Sequence, residues 1–483
     1  MEAITNRSFK AIIWNASGQF STQILSLAVG IVLARLLSPN DYGLFAIALL
    51  FNGFSSVFID AGFSAAIIRK KEPTNKDLST VWFFNIGMSI FVYLIVFFLA
   101  PLVAKFFNQP NIILLIRVIG LNFIILAFGT IQSVILRKQL NYKVKSIIAV
   151  MSVVVSGLVA LFLAYIGFGV WALVWQIGLQ NLITVVSYWL VSNWRPMLCF
   201  SKRSFTELFS FGSKLMIASF LYEVFTQIYP VIIGKFFSIA QVGFYNRAES
   251  YQRLTSVTIS NTVNNIAFPS LSLIQDENER LKEAYRRIIR MTMLINVPLM
   301  VGLILLAEPL INVLLTEKWI TAAVYLKYFC IVGMFHPLHV LILNIPNIKG
   351  RSDIFLYLII INKVLIVFSI FIGFFWGIEG LLIGQIFTAI LTFIIAAISA
   401  GKFINYGIRM QLFDIFPFFG ISAIMYIIGF FVNQLIVSDS ASILIVFFVC
   451  ATFYFLMTKL FKISALNELT NLLKENLFNR NTR

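Results

Sequence analysis

Residues 80–104 have the sequence TVWFFNIGMSIFVYLIVFFLAPLVA, which contains no charged side chain. A helix of about 20 apolar residues spans the roughly 30 Å hydrocarbon core of a bilayer. Inside that core each backbone N–H and C=O must be hydrogen-bonded within the protein, so a run of this length is predicted to be a helix. Similar runs fill the chain, which is 60% hydrophobic and has a mean hydropathy of +0.91. The sequence therefore predicts an all-α polytopic membrane protein.

The gaps between the apolar runs indicate the orientation. About fourteen spans are predicted, at residues 10–36, 41–68, 80–106, 111–136, 146–166, 169–192, 207–236, 241–272, 286–315, 320–347, 353–375, 379–404, 413–433 and 441–461. Every second gap is basic, as at Arg69, Lys70 and Lys71, and the other gaps are nearly free of Lys and Arg. Cytoplasmic loops hold the excess of positive charge, so both termini are expected in the cytoplasm. The net charge of +17 is dispersed over these loops, which disfavours a nucleic-acid partner.

The chain also repeats itself. Residues 31–45, IVLARLLSPNDYGLF, match residues 231–245, VIIGKFFSIAQVGFY, at an offset of 200 that aligns Gly43 with Gly243. Two further matches follow in the same order. We therefore expect two six-helix lobes, residues 1–200 and 201–406, related by a pseudo-two-fold axis along the membrane normal. Two extra helices would occupy residues 407–461, and an interfacial amphipathic tail residues 462–483.

Duplicated six-helix halves favour a transporter that works by alternating access. An ionisable residue inside a span is a functional candidate, because burying it in hydrocarbon costs about 2.5–3.5 kcal/mol on insertion scales. The cationic candidates suit an anionic substrate such as a phosphate, and Tyr251 lies one turn from Arg247. The predicted substrate site comprises Arg117, Arg247, Tyr251, Lys327, Lys363 and Lys214. The acids that would couple transport to an ion are Asp60, Glu223 and Glu249.

Plainer interpretations compete with these roles. Glu249 and Arg253 are four residues apart and suit a local ion pair. Lys214 lies near enough to a helix end to extend toward water, which is harder for Lys363 because that residue lies about ten positions into its span. Polar side chains such as Asn264 suit either a wet cavity or hydrogen bonds between helices. His336 and His339 have no nearby carboxylate, so a metal is not expected, and no catalytic motif or cofactor-binding motif is found. An enzyme is therefore not expected.

Several stretches resemble the bacterial polysaccharide flippases, the Wzx-type exporters of the MATE-like MOP superfamily that include the colanic and teichuronic acid exporters. The stretches are ARLLSP (34–39), DYG (41–43), DAG (60–62), GFGVWALV (167–174), WRP (194–196), GFYNRA (243–248), FPSLS (268–272) and EKW (317–319). Thr316 departs from the family, which usually has Gly before Glu-Lys-Trp, and residues 347–351 are looser than its usual short Gly-Arg turn.

The resemblance implies fourteen helices in the bacterial inner membrane and flipping of an undecaprenyl-pyrophosphate-linked oligosaccharide between leaflets. Membrane lipids, a polysaccharide polymerase and glycosyltransferases are the expected partners, with H⁺ or Na⁺ as the coupling ion. Two alternatives stay open. One is a MATE-type exporter of small molecules, which would favour an acidic cavity for cationic drugs. The other is a transport-inactive scaffold that docks polysaccharide-synthesis enzymes through its basic loops.

Overall fold

The computed structural model describes residues 2–463, 465, 466 and 468, and these residues form helices with no β-strand among them. The all-α prediction is confirmed. The helices are α1 (Glu2–Leu36), α2 (Pro39–Asp60), α3 (Phe63–Arg69), α4 (Asn75–Phe107), α5 (Ile112–Lys138), α6 (Tyr142–Tyr165), α7 (Val170–Val191), α8 (Lys202–Phe236), α9 (Ile239–Ser272), α10 (Asn278–Leu305), α11 (Ala307–Leu315), α12 (Ile320–Ile348), α13 (Ser352–Gly373), α14 (Gly377–Gly401), α15 (Ile408–Gln434) and α16 (Asp439–Leu460). The predicted tail helix falls almost entirely outside the described residues.

Twelve segments of the described chain are long and apolar enough to cross a membrane. One of them, Ser352–Ile404, contains both α13 and α14. Helix α9 is 34 residues long but is not among the twelve, since its polar side chains lower its hydropathy. The protein is thus a multi-pass helical membrane protein, and the count of fourteen crossings stays a prediction.

Two of the predicted spans are each broken into two helices. The span predicted at 41–68 ends at Asp60, because Ala61 and Gly62 adopt left-handed backbone angles with φ of 43° and 73° before α3 begins. The span predicted at 286–315 breaks after Leu305. Pro309 has no N–H to donate to the carbonyl of Leu305, so the helix cannot continue unchanged. The prediction of one continuous helix at each of these two places was wrong.

The described chain divides into two compact units, residues 1–246 and 247–483. In the first unit, α1 packs on α6, α4 on α5, and α2 on α5 and α8. In the second, α10 packs on α12 and α15, and α14 packs on α12 and α13. The predicted domain boundaries after residues 200, 406 and 461 stay predictions.

The two segments that repeat in sequence contact each other within the first unit. A Cβ atom on Gly43 of α2 would lie 1.9 Å from the carbonyl oxygen of Ile239. A Cβ atom on Gly243 of α9 would lie 2.1 Å from the carbonyl oxygen of Pro39. Since Ile239 and Gly243 follow Pro39 and Gly43 by 200 positions, each segment makes the same contact with the other, as a local two-fold axis requires. Only glycine allows this backbone approach.

The turn after α11 contains a backbone conformation that threonine rarely adopts. Thr316 has φ of 80° and ψ of 166°, a region populated almost entirely by glycine. Its N–H is held by the carbonyl of Asn312 at 3.1 Å, so the turn cannot relax without losing that hydrogen bond. The departure from the family's usual glycine therefore falls where glycine is the favoured residue.

We expect Thr316→Gly to stabilise the protein by about 1 kcal/mol, because relief of the strained backbone exceeds the added freedom of the unfolded chain. Denaturant unfolding of the detergent-solubilised protein measures the change. Thr316→Ala is the control, since it removes the hydroxyl and methyl groups but keeps the Cβ atom, and it should give no gain. An equal gain from alanine would show that the side chain, and not the backbone, causes the strain.

Candidate functional site

The predicted site residues are distributed over both compact units. Arg117, Lys214, Asp60 and Glu223 belong to the first unit, and the other five belong to the second. The contacts of each side chain separate structural roles from roles in binding.

Arg117 of α5 lies beside the proline kink of α4. Pro101 has no N–H, so the carbonyl of Phe97, four residues earlier, lacks its helical donor. The Nε of Arg117 donates to that carbonyl at 3.4 Å, and the guanidinium lies 4.0 Å from the centre of the Phe97 ring. Arg117 thus stabilises the kink. Its role as a substrate ligand stays a prediction.

The two acids of the first unit accept hydrogen bonds from neutral groups. Asp60 accepts from the backbone N–H of Ser64 at 3.3 Å and from its hydroxyl at 2.5 Å, which holds the first turn of α3. Glu223 of α8 accepts from the amide of Gln227 at 2.7 Å. A Cβ atom on Gly53 of α2 would lie 1.9 Å from Glu223 Oε1, so this carboxylate packs directly on α2. Lys214, earlier in α8, is exposed.

In the second unit, two of the predicted residues are in ion pairs. Glu249 accepts a hydrogen bond from Arg253 at 3.3 Å. This is the local ion pair that the sequence offered as the alternative to a role of Glu249 in ion coupling. Lys327 of α12 pairs with Glu308 of α11 at 2.5 Å, and both side chains are more than one-third exposed. Arg247 and Tyr251, on α9, and Lys363, in the middle of α13, are half-buried.

A buried carboxylate that sequence reasoning missed organises the start of α10. The Asp414 side chain of α15 is fully buried, and it accepts from Arg286 at 2.7 and 2.9 Å in a bidentate pair. Arg290 also donates to it, and the Tyr406 hydroxyl donates at 2.6 Å. Burial, together with this hydrogen bond, raises the pKa of Tyr406, so the phenol stays protonated. In the sequence, this buried site is indicated by a single acidic residue, Asp414, at the start of an apolar run.

Some polar residues of α9 form hydrogen bonds to other helices. Pro337 leaves the carbonyl of Gly333 without a helical donor. Ser256 donates to it at 2.9 Å and Asn296 of α10 at 3.1 Å, and both side chains are buried. Asn344 donates to Asn264 at 2.7 Å. For Asn264 the structure thus supports interhelical hydrogen bonding.

The two histidines lie in the same part of α12. His336 Nδ1 is 2.9 Å from the hydroxyl of Ser260, so one nitrogen of this ring has a hydrogen-bond partner. Among the described residues, no group of three His, Cys, Asp or Glu side chains is placed to hold a metal ion.

These observations define a class of protein, a multi-pass helical membrane protein with ionisable side chains inside its apolar helices. The family model described as "Polysaccharide biosynthesis protein" matches residues 32–324, more than half of the chain. The chain belongs to this family, which confirms the resemblance inferred from its motifs.

Relatives and solved structures agree with this family. The chain is 25% identical over 365 residues to the teichuronic acid biosynthesis protein TuaB of Bacillus subtilis, covering 74% of each. It is 23% identical over 377 residues to the lipopolysaccharide biosynthesis protein WzxC of Escherichia coli, covering 77% of this chain and 76% of the relative. The lipid II flippase MurJ in its inward closed conformation has a similar fold, with a TM-score of 0.77, 14% identity, and coverage of 94% of this chain and all of that one. An inward-facing MATE transporter of the MOP superfamily gives a TM-score of 0.62 at 18% identity, covering 79% of this chain and 95% of the other.

We expect Arg117→Ala to destabilise the protein by about 1–2 kcal/mol, because the Phe97 carbonyl loses its donor in a partly buried setting. In a Pro101→Ala background the same substitution should cost much less, since alanine at position 101 restores a helical N–H to that carbonyl. Unfolding of the four proteins of this double-mutant cycle measures the coupling. Additive effects would exclude the kink as the reason for the placement of Arg117.

We expect Asp414→Ala to cost about 3 kcal/mol, because two arginines lose their shared partner in a partly buried site. Asp353→Ala is the matched control, since both side chains of the Arg351–Asp353 pair are at least half exposed and water screens their attraction. The control should therefore unfold close to wild type. Thermal unfolding of both variants in detergent measures the difference. Similar losses would show that burial of Asp414 is not what gives its pairs their strength.

Proposed function

We propose that the protein is a flippase that moves a polyprenyl-(pyro)phosphate-linked oligosaccharide from the inner to the outer leaflet of the bacterial cytoplasmic membrane. Membership in the polysaccharide biosynthesis family is the observation that carries this proposal. The relatives named for teichuronic acid and lipopolysaccharide biosynthesis support the substrate class. The fold shared with a lipid II flippase is consistent with transport rather than catalysis.

The basic side chains inside the apolar helices support an anionic headgroup as the part of the substrate that the protein binds. Arg247 and Lys363 are half-buried in the second unit, away from helix ends. A guanidinium binds phosphate oxygens with two parallel hydrogen bonds, and Tyr251, one turn from Arg247, offers a hydroxyl to phosphate or sugar. Arg117, Lys214 and Lys327 are the remaining basic residues of the proposed site.

The proposal includes alternating access of two lobes, residues 1–200 and 201–406, with both termini in the cytoplasm. The local two-fold contact between Gly43 and Gly243 supports this duplication. Lys and Arg in every second gap support the orientation. A polysaccharide polymerase and glycosyltransferases are the proposed protein partners.

An H⁺ or Na⁺ gradient would supply the energy, since one charge crossing 100 mV gains about 2.3 kcal/mol. Of the three acids, Glu223 is the strongest candidate for ion coupling. It lies well inside α8 and accepts from a neutral amide, whereas Glu249 is paired with Arg253 and Asp60 lies at a helix end. Packing of Glu223 on Gly53 would let its protonation change the contact between α8 and α2.

Flipping of a fluorescent undecaprenyl-pyrophosphate glycan in proteoliposomes, with an H⁺ or an Na⁺ gradient, tests the proposal. We expect wild-type flipping, at least tenfold slower flipping with Arg247→Ala because the phosphate loses a charged donor, and partial recovery with Arg247→Lys. Arg280→Ala is the control, because Arg280 is a basic residue of the first turn of α10 and is mostly exposed.

The outcomes separate the function from the site. Absence of wild-type flipping with several glycans and both gradients would overturn the proposed function. Wild-type flipping that survives Arg247→Ala would overturn the assignment of Arg247 and leave the function standing.

A further inference from the structure

The short turn between α5 and α6 brings two cations together. Arg137 lies in the last turn of α5, and Lys145 lies in the first turn of α6. Leu140 has φ of 55°, and the Asn141 side chain accepts from the N–H of Val144 at 3.5 Å, so the turn is tight and capped. The two residues therefore place like charges on either side of one short turn, and these charges repel each other.

Hydroxyl groups from two helices complete the cluster. The Lys145 ammonium donates to the hydroxyl of Ser133, one turn before Arg137, at 3.3 Å. Tyr188 lies on α7, which packs on α5, and it interacts with Ser133 and Arg137. The four side chains, Arg137, Lys145, Ser133 and Tyr188, are all partly exposed and are named here the α5–α7 cluster.

The α5–α7 cluster has no counter-charge in the part of the chain that the structure describes. Neither of its cations is in an ion pair with a described carboxylate, and the Nε of Arg137 is buried without a hydrogen-bond partner. A buried donor without a partner costs about 1–3 kcal/mol, and two like charges at close range add to that cost. An arrangement of this kind is stabilised by an anion.

Two neighbouring lysines, Lys70 and Lys138, have acceptors within the protein. Lys70 pairs with Asp77 and with Glu207, both at 3.1 Å. Lys138, next to Arg137 in sequence, donates to the carbonyls of Ile67 and Lys70 at the end of α3. Arg137 and Lys145 differ from these two lysines, because neither side chain is bonded to a carboxylate or a carbonyl in the part of the chain that the structure describes.

The surroundings of the cluster favour a lipid as the source of the anion. Ile147 and Met151 of α6 and Leu190 of α7, all within two turns of the cluster along their helices, are exposed apolar side chains on membrane helices. Acyl chains would contact them while the headgroup reaches the cations. Basic pockets between helices on the cytoplasmic side of a membrane bind anionic headgroups, and this gap is predicted to be cytoplasmic.

We propose that Arg137 and Lys145, with the hydroxyls of Ser133 and Tyr188, bind the phosphate of an anionic phospholipid of the cytoplasmic leaflet. The guanidinium supplies a planar pair of donors, and the ammonium supplies a point charge. The bound lipid cancels the repulsion across the turn and stabilises the α5–α6 pair. This site does not depend on the proposed function.

The full-length protein in nanodiscs of phosphatidylcholine, with phosphatidylglycerol titrated in, tests the site by thermal unfolding and by native mass spectrometry. We expect phosphatidylglycerol to raise the wild-type Tm and to remain bound in the mass spectrum. Lys145→Met should bind it about tenfold more weakly, since one charge-assisted hydrogen bond is lost. In pure phosphatidylcholine, Lys145→Met should unfold no earlier than wild type, because the substitution removes a repulsive charge.

Lys143→Met is the matched control, because Lys143 lies in the same turn of α6 but is exposed, with its ammonium 5.5 Å from the centre of the Trp14 ring. It should keep the phosphatidylglycerol shift. Equal shifts in wild type and Lys145→Met, or an equal loss in Lys143→Met, would overturn the proposal. Stabilisation by inorganic phosphate as strong as by the lipid would overturn the lipid as the source of the anion.

Discussion

The hydrogen bonding of backbone groups in a hydrocarbon environment is the constraint on which the rest of this structure depends. Within long apolar helices each proline frees a carbonyl four residues earlier, and water is not there to satisfy it. Two of these carbonyls have side-chain donors from neighbouring helices: Arg117 for Phe97, and Ser256 with Asn296 for Gly333. Each kink is thereby tied to a specific helix contact, α4 with α5 and α12 with α9 and α10.

The same constraint explains why a polar side chain inside a span is not by itself a substrate site. Asp414 is the most buried carboxylate among the described ion pairs, and its two arginines and one tyrosine satisfy it fully enough to fix α15 against α10. Removing an ionised partner from such a site is costly, so its charges are not available to a ligand. The α5–α7 cluster is the opposite case, because its cations repel each other.

The sequence predicted much of the fold because span length and charge alternation are local properties. The break at Ala61 and Gly62 was also locally encoded, since glycine is the residue that most often follows a helix in a left-handed conformation, but continuous hydropathy concealed it. Partners of buried charges were not predictable in this way. Arg286 and Asp414 are 128 positions apart, and nothing local distinguishes Arg286 from the other basic residues around it. The hydrogen bond between Arg117 and the Phe97 carbonyl was likewise not predictable, because an acceptor on the backbone leaves no trace in the sequence.

The observed contacts also indicate how readily two cations of the proposed substrate site, Lys327 and Arg117, could leave their present partners to bind a phosphate. The Lys327–Glu308 pair is short but more than one-third exposed on both sides, and exposed pairs contribute about 0–1 kcal/mol. Such a pair opens at little cost, so Lys327 can exchange its carboxylate for a phosphate. Arg117 would have to give up the Phe97 carbonyl, which lies within a membrane helix and would then lack a donor. In the proposed substrate site, a phosphate would therefore be bound more readily by Lys327 than by Arg117.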